Sequence, residues 1–170
     1  FSYQSSLKNG YFKYGSLPVA VEEISFNVNA GCSDGLYNNI NAKIENINAV
    51  ALSNFIKGHV HINGLKNFPV EAALSSKINL SDIARIIPLE GYSLNGLLDL
   101  DINSKGNYNQ SKGLFPVTKA LIKVNNGIIK TPHYPTPLKD IIVDAEVTST
   151  NGTTKDVAIK IKPISFTFEG

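Results

Sequence analysis

Arginine is almost absent from this sequence: Arg85 is the only one. Arginine is the side chain best shaped for two-point contacts with phosphates and base edges. Its scarcity, together with a net charge of only +2, excludes a nucleic-acid footprint and argues against phosphoryl transfer. Cysteine occurs once, as Cys32, which excludes an internal disulfide and a cysteine-based zinc site. Methionine and tryptophan are missing altogether. The chain opens at Phe1 directly into patterned sequence, and with no methionine it reads as a mature or excised piece of a longer protein. No apolar run approaches the roughly 18 residues of a membrane span, and the start has no charged-then-apolar signal pattern. Any membrane anchor is therefore expected outside these residues.

What the chain does have is a one-domain length of 170 residues, a hydrophobic fraction of 42%, and a polar surface carried by Asn, Ser, Thr and Gly, since only 18% of residues are charged. Apolar and polar residues alternate almost from end to end, the period of a strand with one buried face. Ile24, Phe26 and Val28 alternate with Ser25 and Asn27; Ile40, Ala42 and Ile44 with Asn41 and Lys43; Val60 and Ile62 with His59 and His61. The pattern continues through Val70, Ala72 and Leu74, then Leu98, Leu100 and Ile102, then Ile122 and Val124. It closes with Ile141 and Val143, with Val157 and Ile159, and with Ile164, Phe166 and Phe168.

Asp34-Gly35, Asn63-Gly64, Asn126-Gly127 and Asn151-Gly152 supply turn chemistry between runs, so an antiparallel meander is expected. Only residues 79–87 break the period, with Ser81 as a cap, Pro88 as a stop, and Leu80, Ile83, Ala84 and Ile87 on one stripe, which predicts one short α-helix. The chain also repeats: Asn9-Gly10, Val21, Glu23, Ile24, Phe26 and Val28 have counterparts 117 residues later in Asn126-Gly127, Leu138, Asp140, Ile141, Val143 and Ala145. Residues 8–47 and 125–164 thus read as two copies of one unit inside a single β-rich domain, 1–170, cut from a longer repetitive protein.

About ten strands, each apolar on one side, must hide that side or lose roughly 25 cal/mol per Å². A helix of this length is only about 14 Å long and covers two or three strands. The fold class expected is therefore mainly β: a curved antiparallel sheet forming an open groove or half-barrel, or else closing on itself as a sandwich. The candidate groove residues are Ile24, Phe26, Val28, Ile40, Ile44, Val60, Ile62, Leu98, Leu100, Ile102, Ile122, Val124, Ile141, Val143, Val157 and Ile159.

No catalytic constellation, cofactor or metal site is expected. His59 and His61 project to the same side of a strand as half a metal site would, but share it with Lys57 and lack a nearby carboxylate in sequence. Asp99 and Asp101 are spaced like paired carboxylates, yet alternation turns them outward beside Asn103, with no aromatic platform for a sugar. No serine lies in a G-x-S-x-G elbow. Tyr3, Tyr11, Phe12 and Tyr14 suit either a membrane interface or the edge of a β-core.

One segment, from Leu74 through Asn79, Asp82-Ile83, Pro88-Leu89, Gly91 and Gly96 to Lys105-Gly106, resembles the AsmA-like family of bacterial envelope proteins. In that family a strand leads into a short Asp-Ile/Leu helix, a Pro-Leu stop, and a strand opening at Gly. The best-matching stretch is 73–147. The resemblance implies a non-enzymatic protein on the periplasmic side of the inner membrane of a Gram-negative cell, held by an N-terminal anchor absent here. It further implies kinship with bridge-like lipid-transfer proteins, whose β-groove carries phospholipid or other acyl-chain lipid between inner and outer membranes and supports outer-membrane biogenesis. The alternative is a scaffold or assembly domain of the envelope, self-packed and meeting protein partners through its edges.

Overall fold

In the computed structural model, residues 1–15, 19–65, 68–86, 91–162 and 164–168 are described. They form one antiparallel sheet: β1 (Ser2–Phe12), β2 (Val21–Gly31), β3 (Asn41–Ala51), β4 (Asn54–Asn63), β5 (Pro69–Asn79), β6 (Ser93–Asn107), β7 (Val117–Thr131), β8 (Tyr134–Thr148), β9 (Ala158–Ile161) and β10 (Ser165–Phe168). Each strand pairs with the next up to β8, whose far side carries both β9 and β10. The ends of this path do not meet, so the sheet is open and no barrel closes. The extensive contacts between elements join sheet neighbours or the helix α1 (Leu80–Ile86), so among the described residues no second layer folds over as a sandwich.

The helix follows the chemistry of the β5 end. Asn79 Oδ1 accepts hydrogen bonds from the Ser81 backbone N–H at 3.1 Å and the Ser81 hydroxyl at 2.5 Å. The cap is therefore Asn79 and not Ser81, because the helix begins at Leu80, directly after Asn79. Ile87, Pro88 and Leu89, expected to end the helix, lie outside the described residues.

Asn126-Gly127 is not a turn but lies inside β7, where the register with β8 shifts between Val124 and Gly127. The same left-handed φ that suits a turn serves here as a β-bulge, an extra residue that bends and twists the strand. Bulges recur at Asn9 (φ 52°), Glu23 (φ 52°), Asn46 (φ 55°), Asn126 (φ 52°) and Asp140 (φ 51°). The reversal between β7 and β8 falls instead at Pro132-His133, where Thr131 pairs with Tyr134.

Bulge for bulge, β7 and β8 reproduce β1 and β2. Leu7↔Phe26, Gly10↔Ile24 and Phe12↔Val21 become Val124↔Val143, Gly127↔Ile141 and Ile129↔Leu138, each residue displaced by 117. The relation extends to the next strand. Val28↔Ile44, Ser25↔Asn48 and Glu22↔Val50 become Ala145↔Ile161, Ser165↔Ile142 and Thr167↔Lys139. β9 and β10 are thus the two halves of a β3-like strand. The loop ahead of that strand matches too, with Gly35 and Gly152 both left-handed and 3-10 turns at Tyr37–Asn39 and Thr154–Asp156.

Candidate functional site: an open apolar face

Partners across an antiparallel pair lie on the same side of the sheet, so the register assigns every strand residue to a face. Starting from β6, Leu98, Leu100 and Ile102 pair with Val124, Ile122 and Ala120 on β7 and with Ile78, Ser76 and Leu74 on β5. Following the pairs outward adds Val60 and Ile62, then Ile44, Val28, Phe26 and Ile24. In the other direction come Val143 and Ile141, then Ile159 and Ile161. Fourteen of the sixteen sequence candidates therefore share one face. Ile40 and Val157 lie just ahead of strands, the first with its carbonyl accepting from Gly64 N–H at 2.9 Å.

Further residues complete this face. On β3 the bulge at Asn46 moves the inward set from Ala42 and Ile44 to Ile47, Ala49 and Ala51, which pair with Gly58, Ile56 and Asn54. Strict alternation would have continued to Asn46 and Asn48, so a reader of the sequence has no reason to place Ile47 beside Ile44. Tyr3, Leu7 and Phe12 join from β1 through their pairs Ala30, Phe26 and Val21. Tyr3 and Phe12 remain more than half exposed.

Nothing beyond the helix α1 covers this face among the described residues. Among the described residues only Cys32, Ala120 and Ala145 are buried apolar side chains, and no large side chain is fully buried. A closed core would bury its leucines and isoleucines; here most are half-buried by their neighbours in the sheet, and Leu7, Ile56, Ile159 and Ile161 are exposed. The helix covers one end. Asn54, on the apolar face by register, donates from Nδ2 to Asp82 Oδ2 at 3.2 Å, and Ser53 Oγ donates to the same oxygen at 2.8 Å. Asn54 Oδ1 in turn accepts the Asn79 N–H at 2.6 Å, so one buried amide ties β4, β5 and α1 together.

The opposite face is mostly polar, interrupted by Leu97, Leu121 and Ile142, and is knitted by ion pairs: Lys105–Glu71 at 2.9 Å, Lys119–Glu146 at 2.7 Å, Lys77–Asp99 at 3.6 Å and Lys162–Asp144 at 3.3 Å. Lys105 holds the Glu71 carboxyl below its usual range, and Lys119 does the same for Glu146. His59 and His61 stand on this face with ring centroids 5.0 Å apart. Sequence left His61 without a carboxylate; pairing of β3 with β4 brings Glu45 Oε1 to 3.2 Å from its Nε2. The described residues nevertheless contain no group of three or more His, Cys, Asp or Glu side chains able to hold a metal ion. A depression of about 780 Å³ on this side lies among Glu45, Lys57, His59, His61, Ser75, Asp101 and Asn103, a mixed-charge surface. Cys32 Sγ–H is engaged by Asp34 Oδ1 and the Leu36 carbonyl, both at 3.2 Å.

No family model matches the chain, and neither a curated protein nor a solved structure shows significant similarity to it. Among the described residues, no helix is long and apolar enough to cross a membrane.

Proposed function

We propose that this chain is a non-enzymatic section of a Gram-negative envelope protein, facing the periplasm from an inner-membrane anchor, whose open apolar face holds the acyl chains of phospholipid in transit between membranes. The observation that carries the reading is an apolar face running without interruption from β1 to β10 and covered by no second layer among the described residues. Nine strand positions at ~4.8 Å spacing make it roughly 38 Å across, wider than the ~30 Å of a bilayer's hydrocarbon core. Each methylene transferred from water to such a surface contributes about 0.8 kcal/mol, so an acyl chain and the sheet satisfy one another. The polar, ion-paired face presents the opposite surface to water. The resemblance of the β5–α1–β6 segment to AsmA-like proteins supports the envelope setting.

A photo-reactive residue placed at Ile122, on the apolar face, or at neighbouring Lys123, on the polar face, separates lipid contact from general stickiness. In Gram-negative cells the reading expects phospholipid adducts at Ile122 and none at Lys123. Equal labelling at both, or protein adducts alone at Ile122, would overturn it.

A further inference from the structure

One corner of the apolar face is walled. Where β7, β8 and β9 meet the loop before β9, a pocket of about 200 Å³ is lined by Phe115, Pro116, Thr118, Val147, Gly152 and Val157. Val147 pairs with Ala120 and Ile159, and Thr118 with Ser104, so the pocket opens on the apolar side. Its walls are fixed by the backbone: Phe115 N–H donates to the Gly152 carbonyl at 2.7 Å, and a Cβ on Gly152 would collide with the Phe115 carbonyl oxygen. The Asp156 carboxylate ties down the rest of the loop, accepting the Thr150 N–H at 2.9 Å and the Thr153 N–H at 3.1 Å. The Phe115 ring meets Tyr108 edge-on, with centroids 5.7 Å apart.

We propose that this corner receives the methyl end of an acyl chain, so that a phospholipid on the apolar face lies with its tail tip between Phe115 and Val157 and its headgroup away from the corner. The inference rests on the lipid reading and gives it a direction. The lining decides what enters. Thr118 Oγ1 donates to the Pro116 carbonyl at 2.9 Å and lies 2.8 Å from Ser104 Oγ; Ser149 Oγ accepts the Thr118 N–H at 3.1 Å, and Thr153 Oγ1 donates to Asp156 Oδ1 at 3.2 Å. These hydroxyls are engaged within the protein, and no described residue lining the pocket is charged. A polar group entering it would lose water without compensation, whereas an alkyl group would not. A methylene takes about the room of a water's ~30 Å³ share of the liquid, so the pocket holds about six. Each one withdrawn from water strengthens binding about fourfold. Small side chains lead from the pocket into the face: Ala120 and Ala145, both buried, stand on neighbouring strands in successive rows, opposite Val147 and Ile122. In the unit 117 residues earlier those places hold Tyr3 and Val28, and that of Thr153 holds Leu36, so this low path belongs to the second unit.

The test mixes the 170-residue protein with vesicles of phosphatidylglycerol in which one acyl chain carries a diazirine, either at its methyl end or beside its ester carbonyl. After irradiation, peptide mass spectrometry should find the methyl-end probe on Phe115, Val147 or Val157 and the carbonyl-side probe elsewhere on the apolar face. Val157 is 47% exposed, so Val157→Trp has room to fold while filling the pocket. It should cut methyl-end labelling of Phe115 at least about fourfold, the loss of one methylene's burial, and leave carbonyl-side labelling unchanged. Thermal unfolding shows whether the variant is folded, and the comparison of the two probes on the unsubstituted protein stands without it. Three results would overturn the proposal and leave the lipid reading standing: equal labelling of the corner by both probes, labelling of the apolar face that omits the corner, or undiminished methyl-end labelling in folded Val157→Trp. Labelling of the apolar face by neither probe would overturn both.

Discussion

Asn9 and Asn126 hold the same left-handed backbone conformation, φ 52° at each, 117 residues apart and each directly before a glycine at the bulge of its strand. Asparagine tolerates this region because its short side chain can bond locally, whereas a β-branched residue pays for it in strain. Asn126→Val is expected to destabilise the protein by about 1–2 kcal/mol, while Asn126→Gly should be neutral or slightly stabilising. Urea denaturation of the two variants checks both signs.

The same pair shows what could be read from the sequence. A left-handed Asn before Gly marks a hairpin turn and a bulge alike, so position 126 was legible as a special backbone site but not as the middle of β7. Leu52-Ser53 closes the β3–β4 hairpin with Leu52 at φ 56°, and nothing in that dipeptide announces a turn. Runs such as Leu98, Leu100 and Ile102 were plain, because a one-layer sheet leaves the two-residue period undisturbed. The face they share was legible for the same reason, up to each bulge. Beyond a bulge the parity changes, which hid Ile47, and partners brought by pairing, such as Glu45 for His61, have no local signature.

The Asn54 amide links three elements through one buried side chain. Asn54→Leu keeps the volume but leaves the Asn79 N–H without its acceptor and takes one donor from Asp82 Oδ2, which keeps Ser53 Oγ, a loss of about 1–3 kcal/mol. The expected signature is local: faster amide exchange through α1 and the start of β6, with β7 and β8 unchanged. Uniformly faster exchange across the sheet would mean that the amide supports the whole fold and not the helix alone.

Asp156 organises the loop before β9. Its carboxylate accepts above all the Asn151 N–H, then those of Thr150 at 2.9 Å and Thr153 at 3.1 Å, and despite some desolvation its pKa falls from 3.8 to about 2. A folded-state pKa below the unfolded one means that the ionised form stabilises the loop. The contribution is complete above about pH 4 and is lost as the pH falls through about 2. An NMR titration should place the Asp156 midpoint near 2, with exchange at the Asn151 and Thr153 amides rising in parallel. In Asp156→Asn those amides should exchange without that pH dependence.

Leu100 sits on the apolar face between Ser76 of β5 and Ile122 of β7 and is only half-buried. An aspartate there would cost several kcal/mol in a closed core, because an ionised carboxylate without a partner is severely penalised away from water. On a face with no second layer, water reaches the new carboxylate, so Leu100→Asp should fold with a loss of no more than about 2 kcal/mol. Its effect should fall instead on acyl-chain contact, since the charge would be dehydrated whenever a lipid chain lay across β6. Thermal unfolding and lipid photo-crosslinking through Ile122, measured on the same variant, separate these consequences. A folded Leu100→Asp protein with lost crosslinking is the expected result. Undiminished crosslinking would remove β6 from the lipid-bearing surface, and outright unfolding would mean that the face is covered in solution.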